Sequence, residues 1–499
     1  MQAMDIYYHL LTAWGFIQSG GYSGWDFWQY APLGRIHIYP PFLHLIFAGF
    51  IKLGANQIIL AKSCEVLIPC VFLAVLWNFI KVNYGQRFAF FVVLVFFSSF
   101  SFYLFLANHL PATLAFIFGI LSLEQLFRKQ LLRSSILLGL CFYTHIGSSW
   151  FFIAAFILYG IFNKQARGKA LFVSAAAFLL ALPMIIKELN GLKYINTLGL
   201  ELNERYLIQV KAVDLVFAAF GLALALKRRQ GHALFLAFFI AGFIFLSYPY
   251  RYFCAEGYFP VIILCALFLD RLYQAAGRKS VILMIAVFTL VISPTWQLYK
   301  DIADKRVSYK INIFDSALIN LLLAKGRVLW FPKEYVSTAR IVKENSGERD
   351  IVFSSLNFIG LTVASLSGRA SANALLPEMK LPQNYNPLTS SKIIIFSQTD
   401  DPLATNKIIN ALKLIKAGEN DFFVVYKNSG CNVSAGIRKS VLPFSLIWVI
   451  GLLVLLAFWQ ADRFDKWGQR LFCKKAAVPN NRDWSIDPYP PELKKKYKY

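Results

Sequence analysis

The sequence predicts a mainly helical, polytopic membrane protein of about eleven spans, with a small α/β domain ahead of the last one. Three observations carry that reading. The chain of 499 residues is 57% hydrophobic and holds 47 phenylalanines, and its mean hydropathy is +0.52, more apolar surface than the polar remainder of a soluble chain could cover. The apolar residues come in windows separated by short basic clusters. Between residues 296 and 437, in contrast, charges run throughout and apolar stretches become short.

Taken in order, spanning windows lie at 58–80, 88–107, 111–127, 133–146, 149–163, 169–187, 211–226, 231–247, 257–273, 280–295 and 439–461. Alternate loops carry Lys81 and Arg87; Arg128, Lys129 and Arg133; Lys164, Arg167 and Lys169; Lys227, Arg228 and Arg229; and Arg271, Arg278 and Lys279. The complementary loops hold only Arg35, Lys187, Lys193, Arg205, Lys211 and Arg251, so the first set is expected in the cytoplasm and the second outside. Residues 1–56 read as an extracytoplasmic first loop with interfacial helices, 57–295 as the transmembrane domain and 296–437 as an extracytoplasmic α/β domain. Residues 438–461 read as the last span and 462–499 as a basic cytoplasmic tail, a multi-pass arrangement expected in the plasma (inner) membrane. The apolar piece from Phe42 to Ala55 is short and contains Lys52, which suits a helix lying in the interface better than a span.

Within 296–437 the pattern alternates: helix over Glu334–Asn345, strand over Asp350–Ser354, helix over Leu356–Leu366, strand over Lys392–Ser397, helix over Pro402–Ala417 and strand over Asp421–Tyr426. That alternation predicts an α/β layer, with parallel pairing among its strands.

The net charge of +24 does not point to nucleic acid, because its lysines and arginines sit in loops and in the tail, where membrane topology and anionic lipid heads account for them. Of the seven cysteines, Cys64, Cys70, Cys141 and Cys265 lie in apolar windows. Cys254 and Cys431 are both expected outside, either as a disulfide or as two thiols.

Chemistry is concentrated in the first forty-odd residues, which hold three of the six histidines. There Asp5-Ile6-Tyr7-Tyr8-His9 is followed by Ser19-Gly20-Gly21, Pro32-Leu33-Gly34-Arg35-Ile36-His37 and Tyr39-Pro40-Pro41-Phe42-Leu43-His44. Asp5 is placed either as a reacting carboxylate or as the N-cap of the helix that follows. His9, one turn later on the same helix face, forms with it a pair of metal ligands, an acid/base pair or an interfacial pair. His109 and His145 end two further outer loops, so that five histidines map to one side and suggest a shared polar chamber. Lys62 and Glu65, one turn apart, read as a local ion pair or as part of that chamber's wall. Arg251, within Tyr248-Pro249-Tyr250-Arg251-Tyr252, offers forked donors suited to phosphate, and interfacial anchoring is the alternative. Arg35 and Arg369 are secondary anion-binding candidates. Tyr8, His37 and His145 complete the expected substrate-binding set.

The spacing Asp-x-x-Tyr-His, the glycine turn, Pro-x-Gly-Arg and Tyr-Pro-Pro resembles the first outer loop of the C-type membrane glycosyltransferases, nearest to the oligosaccharyltransferase catalytic subunit and the protein mannosyltransferases. The resemblance implies transfer of a sugar from a polyprenyl-phosphate or pyrophosphate donor to a protein, lipid or glycan acceptor outside the membrane. It implies Asp5 as base or metal-orienting carboxylate, with His9 and His109 assisting, and Arg251 in the loop that binds the lipid-linked phosphate. Three features depart from the family. Asn108-His109-Leu110-Pro111 stands where relatives have a second acidic motif, so a divalent metal such as Mg or Mn, held by Asp5, His9 and His109, is left open. The Trp-Trp-Asp motif that reads a glycosylation sequon has no counterpart. Relatives also place a transmembrane helix ahead of this loop, which leads us to expect a start upstream of Met1 or an incomplete chain. The long outer loop with Glu201, Glu204 and Arg205 corresponds in place to a mobile loop of the family. A polymerase or ligase of surface polysaccharide, and a lipid or polysaccharide transporter without a covalent step, are the competing readings.

Overall fold

The computed structural model describes residues 5–99, 106, 109–191, 207–246, 249–276, 281–300, 307–312, 333–374 and 385–472. At Asp5, 207–210, 249–250, Cys254, 297–300, 307–312 and 462–472 only the backbone is described. The chain divides into two compact units: Met1–Val66 with Pro183–Asn203 and Gly326–Leu453, and Leu67–Leu182 with Glu204–Lys325 and Val454–Tyr499.

In the first unit the opening helix, Asp5–Ser19, is succeeded by an almost unstructured but buried loop. Two pairs of two-residue strands organise that loop: Gly21–Tyr22 runs antiparallel to Leu442–Pro443, and Trp25–Asp26 antiparallel to Arg35–Ile36. The turn between the latter two closes where Gly34 takes φ 71°, a conformation that side chains other than glycine's disfavour, and Gly34 N–H donates to Tyr30 O at 3.0 Å. The helix Phe42–Lys52 then buries Leu43, His44, Phe47 and Ala48. At about 1.5 Å per residue its 11 residues reach roughly half of a hydrocarbon core, too short to cross one alone.

The same unit contains a mixed five-stranded sheet, in the order Ile415–Glu419, Phe423–Lys427, Ile393–Ser397, Ile351–Ser354, Ala370–Ser371. The last three strands run parallel and the first two antiparallel, so the expected parallel pairing is confined to half the sheet. The helices Lys333–Asn345 and Asn357–Ser367 pack on each other and on this sheet. One element differs from expectation. The helix expected over Pro402–Ala417 stops at Leu412, where Lys413 turns left-handed (φ 51°) and Leu414 N–H donates to Ile409 O. The freed residues form the edge strand Ile415–Glu419.

In the second unit helices occupy the described parts of the expected apolar windows between 88 and 295; the last window of the chain is the helix Phe444–Phe472. Among the described residues of the chain, five helical segments are long and apolar enough to cross a membrane: Gln57–Tyr84, Leu110–Phe127, Arg167–Gly191, Arg251–Ala276 and Phe444–Ala461. Gln86–Ser98, Leu131–Phe142, Ile146–Phe162, Ala233–Phe245 and Val281–Ile292 are apolar but shorter. This is the helix content of a multi-pass membrane protein. The sequence reading did not anticipate the three-stranded antiparallel sheet of Leu207–Val210, Thr295–Lys300 and Val307–Asn312.

Within this unit Lys211 is buried and its ammonium donates to Ser98 O at 2.8 Å and to Leu290 O. It thereby caps the carboxyl ends of Gln86–Ser98 and Val281–Ile292, where carbonyls lack helical partners and a cation is favoured. One turn into Ala212–Lys227, the buried Asp214 accepts from Ser99 Oγ and, at 2.7 Å, from Tyr258 Oη. The two charges tie four helices at one level.

Candidate functional site

The opening loop of the first unit folds around a carboxylate that the sequence reading passed over, Asp26. It is fully buried, and both oxygens are engaged: His37 Nδ1 donates to Oδ1 at 2.6 Å and Arg35 Nε to Oδ2 at 3.1 Å. Burial pushes the Asp26 pKa up, but the charge and hydrogen bonds of His37, then those of Arg35, outweigh it and hold the carboxyl below its usual range. His37 is correspondingly depressed, first by burial and then by Lys187 and Arg35, with Asp26 opposing. The strand pairing of Asp26 with Arg35 makes this possible, since it sets the two side chains opposite each other.

A second pair lies beside the first. His9 Nδ1 and His44 Nε2 are 2.8 Å apart, so one imidazole donates and the other accepts. His44 is pushed well below its ordinary pKa by burial, then by His9, His37 and Lys187. Rings enclose both pairs: Tyr39 stands edge-on to Tyr8, His9 and His44, and Phe16 to His37 and His44. Arg35 lies over the Tyr8 ring with its guanidinium carbon 6.0 Å from the centroid. Lys187 donates to Tyr39 O at 3.4 Å and sits over Tyr22. His37 Nε2, His44 Nδ1 and both carboxyl oxygens of the buried Glu188 find no hydrogen-bond partner among the described residues.

Tyr8, His9, Arg35 and His37 are therefore gathered in one buried network, together with Asp26 and His44. Asp5 is the first residue of the opening helix, one turn before His9, but its side chain, and with it the choice between reacting carboxylate and cap, lies outside the described residues. Glu201, Glu204, Arg205 and Asn108 also lie outside them.

Arg369 is held by contacts of its own. Its five N–H groups all donate within the protein: Nε to Ser346 Oγ, Nη1 to Ser367 O and Gly368 O, and Nη2 to Lys343 O and Ser346 O. A guanidinium has five donors, so none is left for a substrate phosphate, and the residue binds together the carboxyl ends of Lys333–Asn345 and Asn357–Ser367. Cys431 carries a free thiol, the unpaired alternative for that residue; the Cys254 side chain is outside the described residues.

In the second unit Arg251 is not a lone cation. Nη1 donates to Glu256 Oε1 at 2.5 Å and lies 3.3 Å from His145 Nε2. Glu256, a second carboxylate the sequence reading missed, is fully buried, and its Oε2 has no partner among the described residues. His145 caps the helix Ile146–Phe162, where its Nδ1 accepts from Ser148 N–H at 3.2 Å and lies 2.9 Å from the Ser148 hydroxyl, which in turn is 3.4 Å from Glu256 Oε1. A neutral imidazole has one lone-pair nitrogen, so His145 accepts from Ser148 N–H or from Arg251, not from both. Gly147 allows the approach, since a Cβ there would stand 3.1 Å from Arg251 Nη1. His109 precedes the helix Leu110–Phe127 without a side-chain cap bond.

No group of three or more His, Cys, Asp or Glu side chains suited to a metal occurs among the described residues. His9 and His44 face each other at hydrogen-bond distance, not across the gap that an ion would fill.

Comparison of the sequence with protein-family models and with curated proteins gives no match. The fold, in contrast, matches solved structures. The oligosaccharyltransferase of Archaeoglobus fulgidus, in a complex with zinc and sulfate, aligns at TM-score 0.52 and 11% identity over 79% of this chain and 64% of its own. The same organism's oligosaccharyltransferase AglB, with an inhibitory peptide and a dolichol-phosphate, aligns at 0.52 and 11% over 79% of this chain and 65% of its own. ArnT of Cupriavidus metallidurans aligns at 0.46 and 13% over 84% and 96%. The chain thus spans just under two thirds of the length of the archaeal oligosaccharyltransferases and shares their fold.

Proposed function

We propose that this protein is a membrane glycosyltransferase that moves a sugar from a polyprenyl-phosphate-linked donor to an acceptor outside the membrane. The observation that carries the reading is the shared fold, taken together with the Asp5–His9 spacing on the opening helix. The archaeal neighbour's dolichol-phosphate is the donor-lipid chemistry we carry over. On this reading the chain crosses the membrane about eleven times, with residues 1–56 and 296–437 outside and the carboxyl terminus inside.

The step is an inverting displacement. The acceptor's nucleophile forms a bond to the anomeric carbon, the bond from that carbon to the phosphate oxygen breaks, and the lipid phosphate leaves with the electron pair. Asp5 takes the acceptor's proton and His9 supports it; the His9–His44 pair gives that support a second imidazole. Arg35, His37 and Asp26 fix the loop that presents Tyr8 and His9. Arg251, paired with Glu256, neutralises the leaving phosphate, and His109 is, like His9, an assisting imidazole.

The test uses the full chain reconstituted in lipid with a panel of polyprenyl-phosphate sugars and acceptors, following release of sugar from the lipid. Asp5→Asn is expected to abolish release while the protein still melts as the wild type does. Undiminished release by this variant would remove Asp5 from the chemistry. Donor that binds but is never consumed, whatever the acceptor, would point to transport instead.

A further inference from the structure

We infer that Glu256 is a charge-balancing partner of Arg251, which keeps the phosphate product from being held too tightly; the inference rests on the reading of Arg251 as a phosphate ligand. A buried carboxylate is stable only when paired, and Glu256, with none of its surface exposed, has a guanidinium nitrogen 2.5 Å from Oε1. The pairing is asymmetric. The Arg251 side chain keeps 31% of its surface exposed, while Glu256 keeps none. The cation thus reaches outward and its counter-charge stays behind it, so an arriving anion meets a guanidinium whose field is partly cancelled.

That arrangement discriminates between the two ends of the proposed reaction. The donor's phosphate is a diester with one negative charge. Once the bond from the sugar to the phosphate oxygen breaks, the product is a monoester that approaches two charges at neutral pH. Any reduction of the positive field weakens the product more than the donor, because the interaction scales with the ligand's charge. Glu256 therefore favours release. The Ser148 hydroxyl, 3.4 Å from the same Oε1, donates to the carboxylate on this side.

The experiment measures binding of a polyprenyl monophosphate to the full chain in nanodiscs, alongside thermal unfolding. Arg251→Ala is expected to weaken binding about tenfold or more. Glu256→Gln and Glu256→Met, which remove the charge while filling the space, are each expected to tighten it about threefold or more. Glu256→Asp, which keeps the charge, is expected to stay within about twofold of the wild type. Weakened or unchanged binding in both charge-removing variants would overturn the inference, as would failure of both to fold, which would make Glu256 a folding residue. Unchanged binding in Arg251→Ala would sink the phosphate reading itself, a different failure.

Discussion

Replacing Asp26 by asparagine tests the physical centre of the opening loop. The substitution preserves shape, and the new amide oxygen can still accept from His37 Nδ1–H, which lies 2.6 Å from Oδ1. At the Oδ2 position an amide NH2 would then face Arg35 Nε, now 3.1 Å away, and set donor against donor. The guanidinium remains, 7% exposed and without its counter-charge. Breaking one side of a buried ion pair costs about 3–5 kcal/mol, because the other charge stays desolvated. For a unit of about 200 residues each kcal/mol lowers the melting temperature by about 2–4 °C, so a fall of roughly 6–20 °C is expected. The assay is thermal unfolding in detergent or nanodiscs at neutral pH, followed by tryptophan emission, since Trp28 packs against His37. A companion change of Arg35 to methionine together with Asp26→Asn removes both charges and should recover much of the loss. A melting temperature within about 2 °C of the wild type for Asp26→Asn alone would refute the account, since it would mean that Arg35 finds solvent or another carboxylate.

Two further outcomes follow from the same geometry. His37 and His44 have folded pKa values below the unfolded value of about 6.5. Stability is thus full above about pH 6.5 and is lost as the pH falls below it, when the unfolded chain takes up protons that the folded one refuses, by up to about 1.4 kcal/mol per pH unit for each imidazole. Melting curves between about pH 8 and 5 should show this fall, with a shallower slope in His44→Gln; a flat profile would contradict the burial of neutral imidazoles. Arg369→Lys should lower stability by at least about 2 kcal/mol, since one ammonium cannot replace five forked donors, and should leave donor KM unchanged. A raised KM at unchanged stability would return Arg369 to the substrate.

The parts of the fold that follow from local pattern were legible in the sequence. In the α/β domain the helix expected from Glu334 begins at Lys333, and the strand expected from Lys392 begins at Ile393. The edge strand Ile415–Glu419 was hidden because nothing in the sequence marks Lys413 as a left-handed helix end, a conformation usually taken by glycine. In the site, the sequence picked out His9, Arg251 and His145, but not the carboxylates Asp26 and Glu256 or the pairing of His9 with His44. His44 lies 35 positions from His9, and Asp26 meets His37 only because two-residue strands fold the loop back. A signal for Asp26 was present: it is an acid inside the aromatic run Trp25-Asp26-Phe27-Trp28, where a carboxylate is too costly to bury without partners. Glu256, an acid five positions after Arg251 at the start of an apolar window, carried the same signal.

The opening loop also assigns a task to the α/β domain. A stretch with so little regular structure must satisfy its backbone elsewhere, since buried amides and carbonyls without partners are costly. Here the partners are in the domain: Ala31 N–H donates to Ser371 O, Ser371 N–H to Trp28 O, and the Tyr385 hydroxyl to Ala31 O at 3.1 Å. The segment ahead of the last helix adds Ser440 N–H to Ser19 O, Val441 N–H to Tyr22 O and Phe444 N–H to Gly20 O. The strand Ala370–Ser371 is thus held on one side by Ile351–Ser354 and bonded at Ser371 to the loop. The sheet extends its order into residues that could not hold it alone, and the buried ion pair then selects one arrangement of them. Loosening Ala370–Ser371 should therefore disturb Tyr8, His9 and His37 without touching any of them, which makes this sheet a scaffold for the candidate site.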